Sequence, residues 1–257
     1  MAEENIKRTP EEIEAGIVKA KAEALKAQAE ALKAQAEARK LEAEARGSEV
    51  ALRALEYSER ELLSEDVYHR VYRFSGDVSP GTVRECIKRL SSWSRMFHGE
   101  PMTIIFNSPG GDVVNGLALF DFIQELRRDE TAPGGKAHHV TTKAQGYSAS
   151  MAGILLQAGD VRIMDAEAWL LIHEAAFFAM GKIGEVEDTV EWVKRICKRV
   201  VQIFATRSKL TPRMIEKNWR RKDWWIDADE AYKLGLCDRI EGALLETPPK
   251  PKDKRAA

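Results

Sequence analysis

Met102-Thr103-Ile104-Ile105-Phe106-Asn107-Ser108-Pro109-Gly110-Gly111-Asp112-Val113 decides the fold. Its first five residues are apolar, β-branched or aromatic, and read as a short buried strand. Pro109-Gly110-Gly111 breaks that strand. Apolar residues then return at helical spacing, with Leu117, Phe120, Ile123 and Leu126, and predict a helix over 113–128. Strand, glycine turn and helix make a βα unit, and the same grammar continues on both sides. Strands are expected over 67–74, 137–144, 161–164 and 169–173. Ser79-Pro80 opens a helix carrying Val83, Ile87, Leu90 and Trp93 on one side. An apolar helix of small residues is expected over 150–158, and a short one over 228–234. A long helix is expected over 184–210, with Val186, Val190, Val193, Ile196, Val200 and Ile203 in register. Strands alternating with helices predict an α/β domain of parallel βα units.

The first sixty residues follow different rules. Thr9-Pro10-Glu11-Glu12 reads as a helix start, with Thr9 as N-cap, Pro10 at the first helical position and Glu12 closing a capping box. Ala22-Glu23-Ala24-Leu25-Lys26-Ala27-Gln28 then recurs over 29–35. One long helix is expected to end near Gly47, with Ser48 capping a second that runs to about 63. Ala22, Ala29 and Ala36 with Leu25 and Leu32 form a two-heptad seam, which Arg39 and Arg46 interrupt. That leaves two readings: a solvated helix, or one that docks on a partner or a second copy. The expected organisation is a helical extension over 1–63, an α/β domain over 64–243, and a Pro- and Lys-rich disordered tail over 244–257.

Composition excludes several function classes. Forty basic residues face 41 acidic ones, a net charge of −1. No global charge points to nucleic acid or an anionic membrane. Cys86, Cys197 and Cys237 are too far apart for zinc spacing and odd in number, so reduced thiols in a cytoplasmic protein are expected. No signal peptide or membrane span is expected, and neither a metal nor a cofactor.

Three segments could carry chemistry. Asn107-Ser108-Pro109-Gly110-Gly111-Asp112 presents bare N–H groups between a strand and a helix. Gly146-Tyr147-Ser148-Ala149-Ser150-Met151-Ala152-Gly153 sets serines at a strand-to-helix corner, where a helix N-terminus favours developing negative charge. His173 ends the apolar run Trp169-Leu170-Leu171-Ile172, a rigid place for a general base. Each alone has an ordinary structural explanation. Together they supply the oxyanion hole, nucleophile and base of acyl transfer.

These motifs, in this order, resemble those of the Clp protease proteolytic subunit family (ClpP). A fourth follows in Asp223-Trp224-Trp225-Ile226-Asp227-Ala228-Asp229-Glu230-Ala231 and Gly235-Leu236-Cys237-Asp238. The resemblance covers roughly 67–240 and implies a ClpP/crotonase-like fold of repeated β-β-α and βα units behind the helical extension. It implies a serine endopeptidase with Ser150 as nucleophile, His173 as base and Asp223 orienting the imidazole. Gly111 or Gly110, with Met151, would supply the oxyanion-hole N–H groups. Ser148 is a rival on chemistry alone, and the family's Ser-Met pair favours Ser150. The family implies a homo-oligomeric ring, heptameric or doubled, acting on polypeptides, with the long helix where rings meet.

The chain departs from the family pattern at His173-Glu174-Ala175, where Gln-Pro usually follows the histidine. It departs again at Arg221-Lys222, where an Asp-Arg pair is usual. The helical extension replaces the short axial loops that meet a Clp ATPase. Such departures resemble head-maturation proteases of tailed phages, which meet scaffold or capsid protein. The expected partner is therefore an ATPase or a phage structural protein. A crotonase-like acyl-CoA enzyme and a non-proteolytic scaffold are the alternative classes.

Overall fold

The computed structural model describes residues 9–242. The expected tail over 244–257 lies outside them. Contacts divide the chain after Ser64. Helix α1, Pro10–Ser64, is 55 residues long. Its expected capping box is present. Thr9 N–H donates to Glu12 Oε2 at 2.9 Å, and Glu12 N–H to Thr9 Oγ1 at 3.3 Å. The expected break at Gly47 is absent, and the helix runs through it. An interior glycine costs only about 1 kcal/mol relative to alanine, whereas a new helix must be nucleated again. Ser48 caps nothing; its hydroxyl donates to the Glu44 carbonyl one turn back at 3.0 Å. The seam residues Leu25 and Leu32 are exposed.

The rest is a seven-stranded sheet flanked by helices. Its elements are β1 (Val71–Ser75), α2 (Pro80–Met96), β2 (Met102–Ser108), α3 (Val113–Leu126), β3 (Val140–Ala149), α4 (Met151–Leu156), β4 (Val161–Asp165), β5 (Trp169–Ile172), α5 (Ile183–Thr206), α6 (Pro212–Trp219), β6 (Trp224–Asp227), α7 (Ala228–Leu234) and β7 (Arg239–Glu241). Strands run in the order β1-β2-β3-β4-β7, all parallel, while β5 joins β3 and pairs antiparallel with β6. β3 is the branch point. Its first half, from Thr141 to Ala144, pairs with β4, and its second, from Tyr147 to Ala149, pairs with β5. Gly146, at φ 76°, lies between the halves. The sequence places this strand over 137–144. The turn-like run Gln145-Gly146-Tyr147-Ser148 hides its second half, which exists because β5 and Ser108 pair with it.

The helices bury the stripes read from sequence. α2 starts in a capping box between Ser79 and Thr82 and buries Val83, Leu90 and Trp93. α3 buries Leu119, Ile123 and Leu126. α3 crosses α4 closely at Gly116, where a Cβ would stand 2.2 Å from the Met151 side chain. α5 ends at Thr206, short of the expected 210, because Thr211 caps α6 by accepting from Met214 N–H. α6, β6 and β7 are not among the expected elements. Each is short; β6 and β7 are fixed by pairing with β5 and β4, and α6 by burying Ile215 and Trp219.

An ionic clip joins a buried arginine on β4 to an exposed aspartate before β7. Arg162 on β4 meets the Asp238 carboxylate through Nε at 3.0 Å and Nη2 at 2.5 Å, and donates to Gln157 Oε1 at 2.7 Å. It also donates to the Arg207 carbonyl. Burial alone would raise the Asp238 pKa, but hydrogen bonds from Arg162 outweigh it and hold the carboxyl below its ordinary value. Asp238→Ala removes the carboxylate that faces the buried Arg162 guanidinium; because Asp238 is itself solvent-exposed, the expected cost in denaturant unfolding at neutral pH is about 1–3 kcal/mol. The wild-type contribution is complete above the ordinary aspartate range. It disappears as pH falls through the depressed folded value.

Candidate active site

Four segments meet at the carboxyl ends of β2, β3 and β5. Ser150 occupies the corner between β3 and α4 with φ 54° and ψ −121°, a region L-residues rarely enter. Its N–H donates to the Leu171 carbonyl of β5 at 3.0 Å, and its carbonyl accepts from Gly153 N–H at 3.0 Å. The corner is thus tied both to the neighbouring strand and to its own helix. Such a turn costs of order 1–3 kcal/mol and persists only where the surroundings enforce it. It brings the side chain to the surface, and Ser150 is half-buried. Ser148 is fully buried in β3, in register with Ser108. The structure therefore separates the two candidate serines: only Ser150 lines the pocket that His173 also lines.

The glycine loop packs directly against this corner. A Cβ on Gly110 would lie 2.6 Å from both the Ala149 carbonyl oxygen and Ser150 Cβ, and 2.8 Å from Met151 N. Gly110 donates its N–H to Ser108 Oγ at 3.1 Å and accepts from Val78 N–H at 2.7 Å. Among the described residues, no acceptor is found for the N–H of Gly111 or of Met151. The choice between Gly110 and Gly111 left open by the sequence is thereby narrowed, because the Gly110 N–H is already engaged. Gly111 is held by its bridge to Val78.

His173 follows directly on β5. Ile172 pairs with Trp224 on antiparallel β6, so the next pair outward sets His173 opposite Asp223. Nδ1 of His173 stands 3.9 Å from Asp223 Oδ1, longer than a hydrogen bond. The His173 side chain is 25% exposed and that of Asp223 62%, so the pair lies at the rim. Glu174 accepts from the Arg221 N–H at 3.4 Å, tying the segment after β5 to the one before β6. Sequence reasoning names Glu174 and Arg221 only as departures; here they are the two ends of one contact. Histidines elsewhere serve the fold. His138 is buried between Ser94 Oγ at 2.9 Å and the Glu100 carbonyl at 2.7 Å, and His98 meets the Gly134 carbonyl at 2.8 Å. Among the described residues, no cluster of three His, Cys, Asp or Glu side chains could hold a metal ion. No described helix is long and apolar enough to cross a membrane.

A branched parallel sheet that ends in a strained serine corner, beside a glycine loop whose Gly111 N–H is unspent, is an arrangement chemically suited to acyl transfer. Comparison with known proteins gives the particular family. The sequence profile of the Clp protease family matches residues 59–243, and the chain belongs to that family. An ATP-dependent Clp protease proteolytic subunit from Pleurastrum terricola is 29% identical over 182 residues, which cover 68% of this chain and 87% of that protein. The fold is accordingly ClpP-like. The profile begins at residue 59, so most of α1 lies outside it.

Proposed function

We propose that this protease is a serine endopeptidase that cuts polypeptides through Ser150, His173 and Asp223 within an oligomeric ring. The observation that carries the reading is the left-handed Ser150 corner, packed against Gly110 and sharing a pocket with His173. In this reading His173 Nε2 takes the proton from Ser150 Oγ as that oxygen attacks the scissile carbonyl. The Gly111 and Met151 N–H groups receive the oxyanion. The protonated imidazole then gives its proton to the leaving amine, and water repeats the sequence on the acyl-enzyme. Asp223 faces Nδ1, where it keeps that nitrogen protonated and stabilises the imidazolium.

The 3.9 Å gap to Asp223 must shorten by about 1 Å to make that hydrogen bond. Catalytic hydrogen bonds are often long in resting enzymes. A neighbouring subunit that shields the rim would favour closure. Exposed apolar side chains support such a neighbour: Phe178 and Met180 are each 85% exposed and Ile183 is 80% exposed.

The test is fluorophosphonate labelling of the assembled full chain, followed by peptide mass mapping. One adduct on Ser150, lost in Ser150→Ala, is expected. Labelling of Ser148 instead, or none in correctly assembled protein, overturns the assignment.

A further inference from the structure

Two cavities of very different size meet at one tryptophan. The smaller, of about 20 Å³, is lined by Ser150, Met151 and His173, and by the apolar side chains of Ile154, Phe204 and Trp219. The larger, of about 420 Å³, opens between α5 and α6. Ala175, Cys197 and Trp219 line both, so these three residues are the partition. Trp219 is its only bulky member and is 4% exposed. It is the last residue of α6, and its carbonyl accepts from Lys222 N–H at 3.1 Å, which locks the chain turn behind it.

Because Ser150 and His173 line the smaller cavity, it is the space next to the attacked carbonyl in which the adjoining substrate side chain would be received. At about 20 Å³ beside a groove of about 420 Å³, the smaller cavity is the tightly bounded one, and a short side chain fits it more readily than a long one. A leucine or phenylalanine there would press against Ile154, Phe204 and Trp219, which line it.

We propose that Trp219 is a specificity-determining residue that closes this pocket to large side chains, so that cleavage follows Ala, Gly or Ser. The proposal rests on the serine-peptidase reading above. A single misfit methylene in an apolar pocket discriminates by about 10–200-fold. The chain is therefore expected to prefer Ala over Leu on the acyl side of the cut by about 100-fold in kcat/KM. Removing the indole joins the small cavity to the larger groove, and the preference inverts.

Cys197 gives a second handle that needs no substitution. It is half-buried on the same partition, whereas Cys86 and Cys237 are buried. Burial pushes the Cys86 thiol well up, and that of Cys237 up to about 11, which leaves both unreactive near neutral pH. A methylthio group on Cys197 would add bulk to the wall of the pocket.

The test is to digest a denatured protein mixture with the assembled full chain, wild type and Trp219→Ala, and to sequence the new termini by mass spectrometry. Wild-type cuts after Ala, Gly and Ser, with Trp219→Ala cutting after Leu, Met and Phe, support the proposal. Wild-type cuts after bulky residues overturn it, and Ser150 labelling in the same sample would leave the peptidase reading standing. Should Trp219→Ala fail to assemble, the wild type treated with methyl methanethiosulfonate decides. A loss of cleavage after Ala of at least about tenfold, restored by dithiothreitol, is expected. Unchanged cleavage with Cys197 fully modified overturns the proposal. Absence of fluorophosphonate labelling in the untreated protein would instead count against the peptidase reading itself.

Discussion

His173→Ala is expected to lower peptide hydrolysis by about four to six orders of magnitude while the protein still folds and assembles. The size follows from units that act together: removing the base from a serine triad costs nearly as much as removing the whole triad. The imidazole lies just past the end of β5 at the mouth of the pocket, so its loss breaks no strand pairing. Ser150 is held in its corner by the Leu171 and Gly153 backbone, not by His173, so the variant keeps the corner and the N–H groups proposed to receive the oxyanion. The residual rate should therefore stay above that of the uncatalysed reaction. Single-turnover acylation and circular dichroism on the same preparation check both halves. Acylation that survives within tenfold of wild type would mean that another group activates the serine.

The sequence makes the βα units legible because their helices carry apolar residues every three or four positions and their strands are short apolar runs. Val83, Leu90, Trp93, Ile123 and Leu126 are all buried where that spacing puts them, while Leu117 and Phe120 of the same stripe are partly buried. It hides the second half of β3, since Gln145-Gly146-Tyr147-Ser148 has turn composition and becomes a strand only through β5. β6 and β7 are hidden for the same reason; pairing that spans tens of residues leaves no local trace. The break expected at Gly47 shows the opposite error, in which a local stop signal is overridden by strong helix formers on both sides.

At the site, the residue types and their order are readable, but the geometry that chooses among them is not. Chemistry alone does not distinguish Ser148 from Ser150, and only the Met151 that follows favours the second by resemblance; burial of one in β3 and the strained corner of the other separate them physically. Nothing local distinguishes Gly110 from Gly111; the Ser108 hydroxyl does, by accepting the Gly110 N–H. Asp238 is visible as the end of Gly235-Leu236-Cys237-Asp238, yet its partner Arg162 stands 76 residues earlier. Trp219 is part of the core, yet the wall it forms faces the pocket of Ser150.

Gly110→Ala is expected to lower kcat by about 100- to 1,000-fold with little change in KM, the loss seen when one oxyanion-hole donor is removed. Two effects act together. Gly110 has φ 91°, which an alanine adopts only with strain. Its new methyl would stand 2.6 Å from Ser150 Cβ and from the Ala149 carbonyl oxygen. Both contacts involve the corner itself, which is fixed on two sides by backbone hydrogen bonds and cannot yield. The glycine loop must move instead, and the unspent N–H of Gly111 moves with it. Substrate binding along the groove is largely spared, so the damage falls on the transition state, where the oxyanion exists. Steady-state kinetics of the variant, set beside the binding of a peptide aldehyde, separates lost transition-state stabilisation from lost substrate binding. The aldehyde forms a tetrahedral adduct that needs the hole, and it should lose affinity in proportion to kcat. If aldehyde affinity held while kcat fell, the N–H groups of this loop would not be the ones that receive the oxyanion.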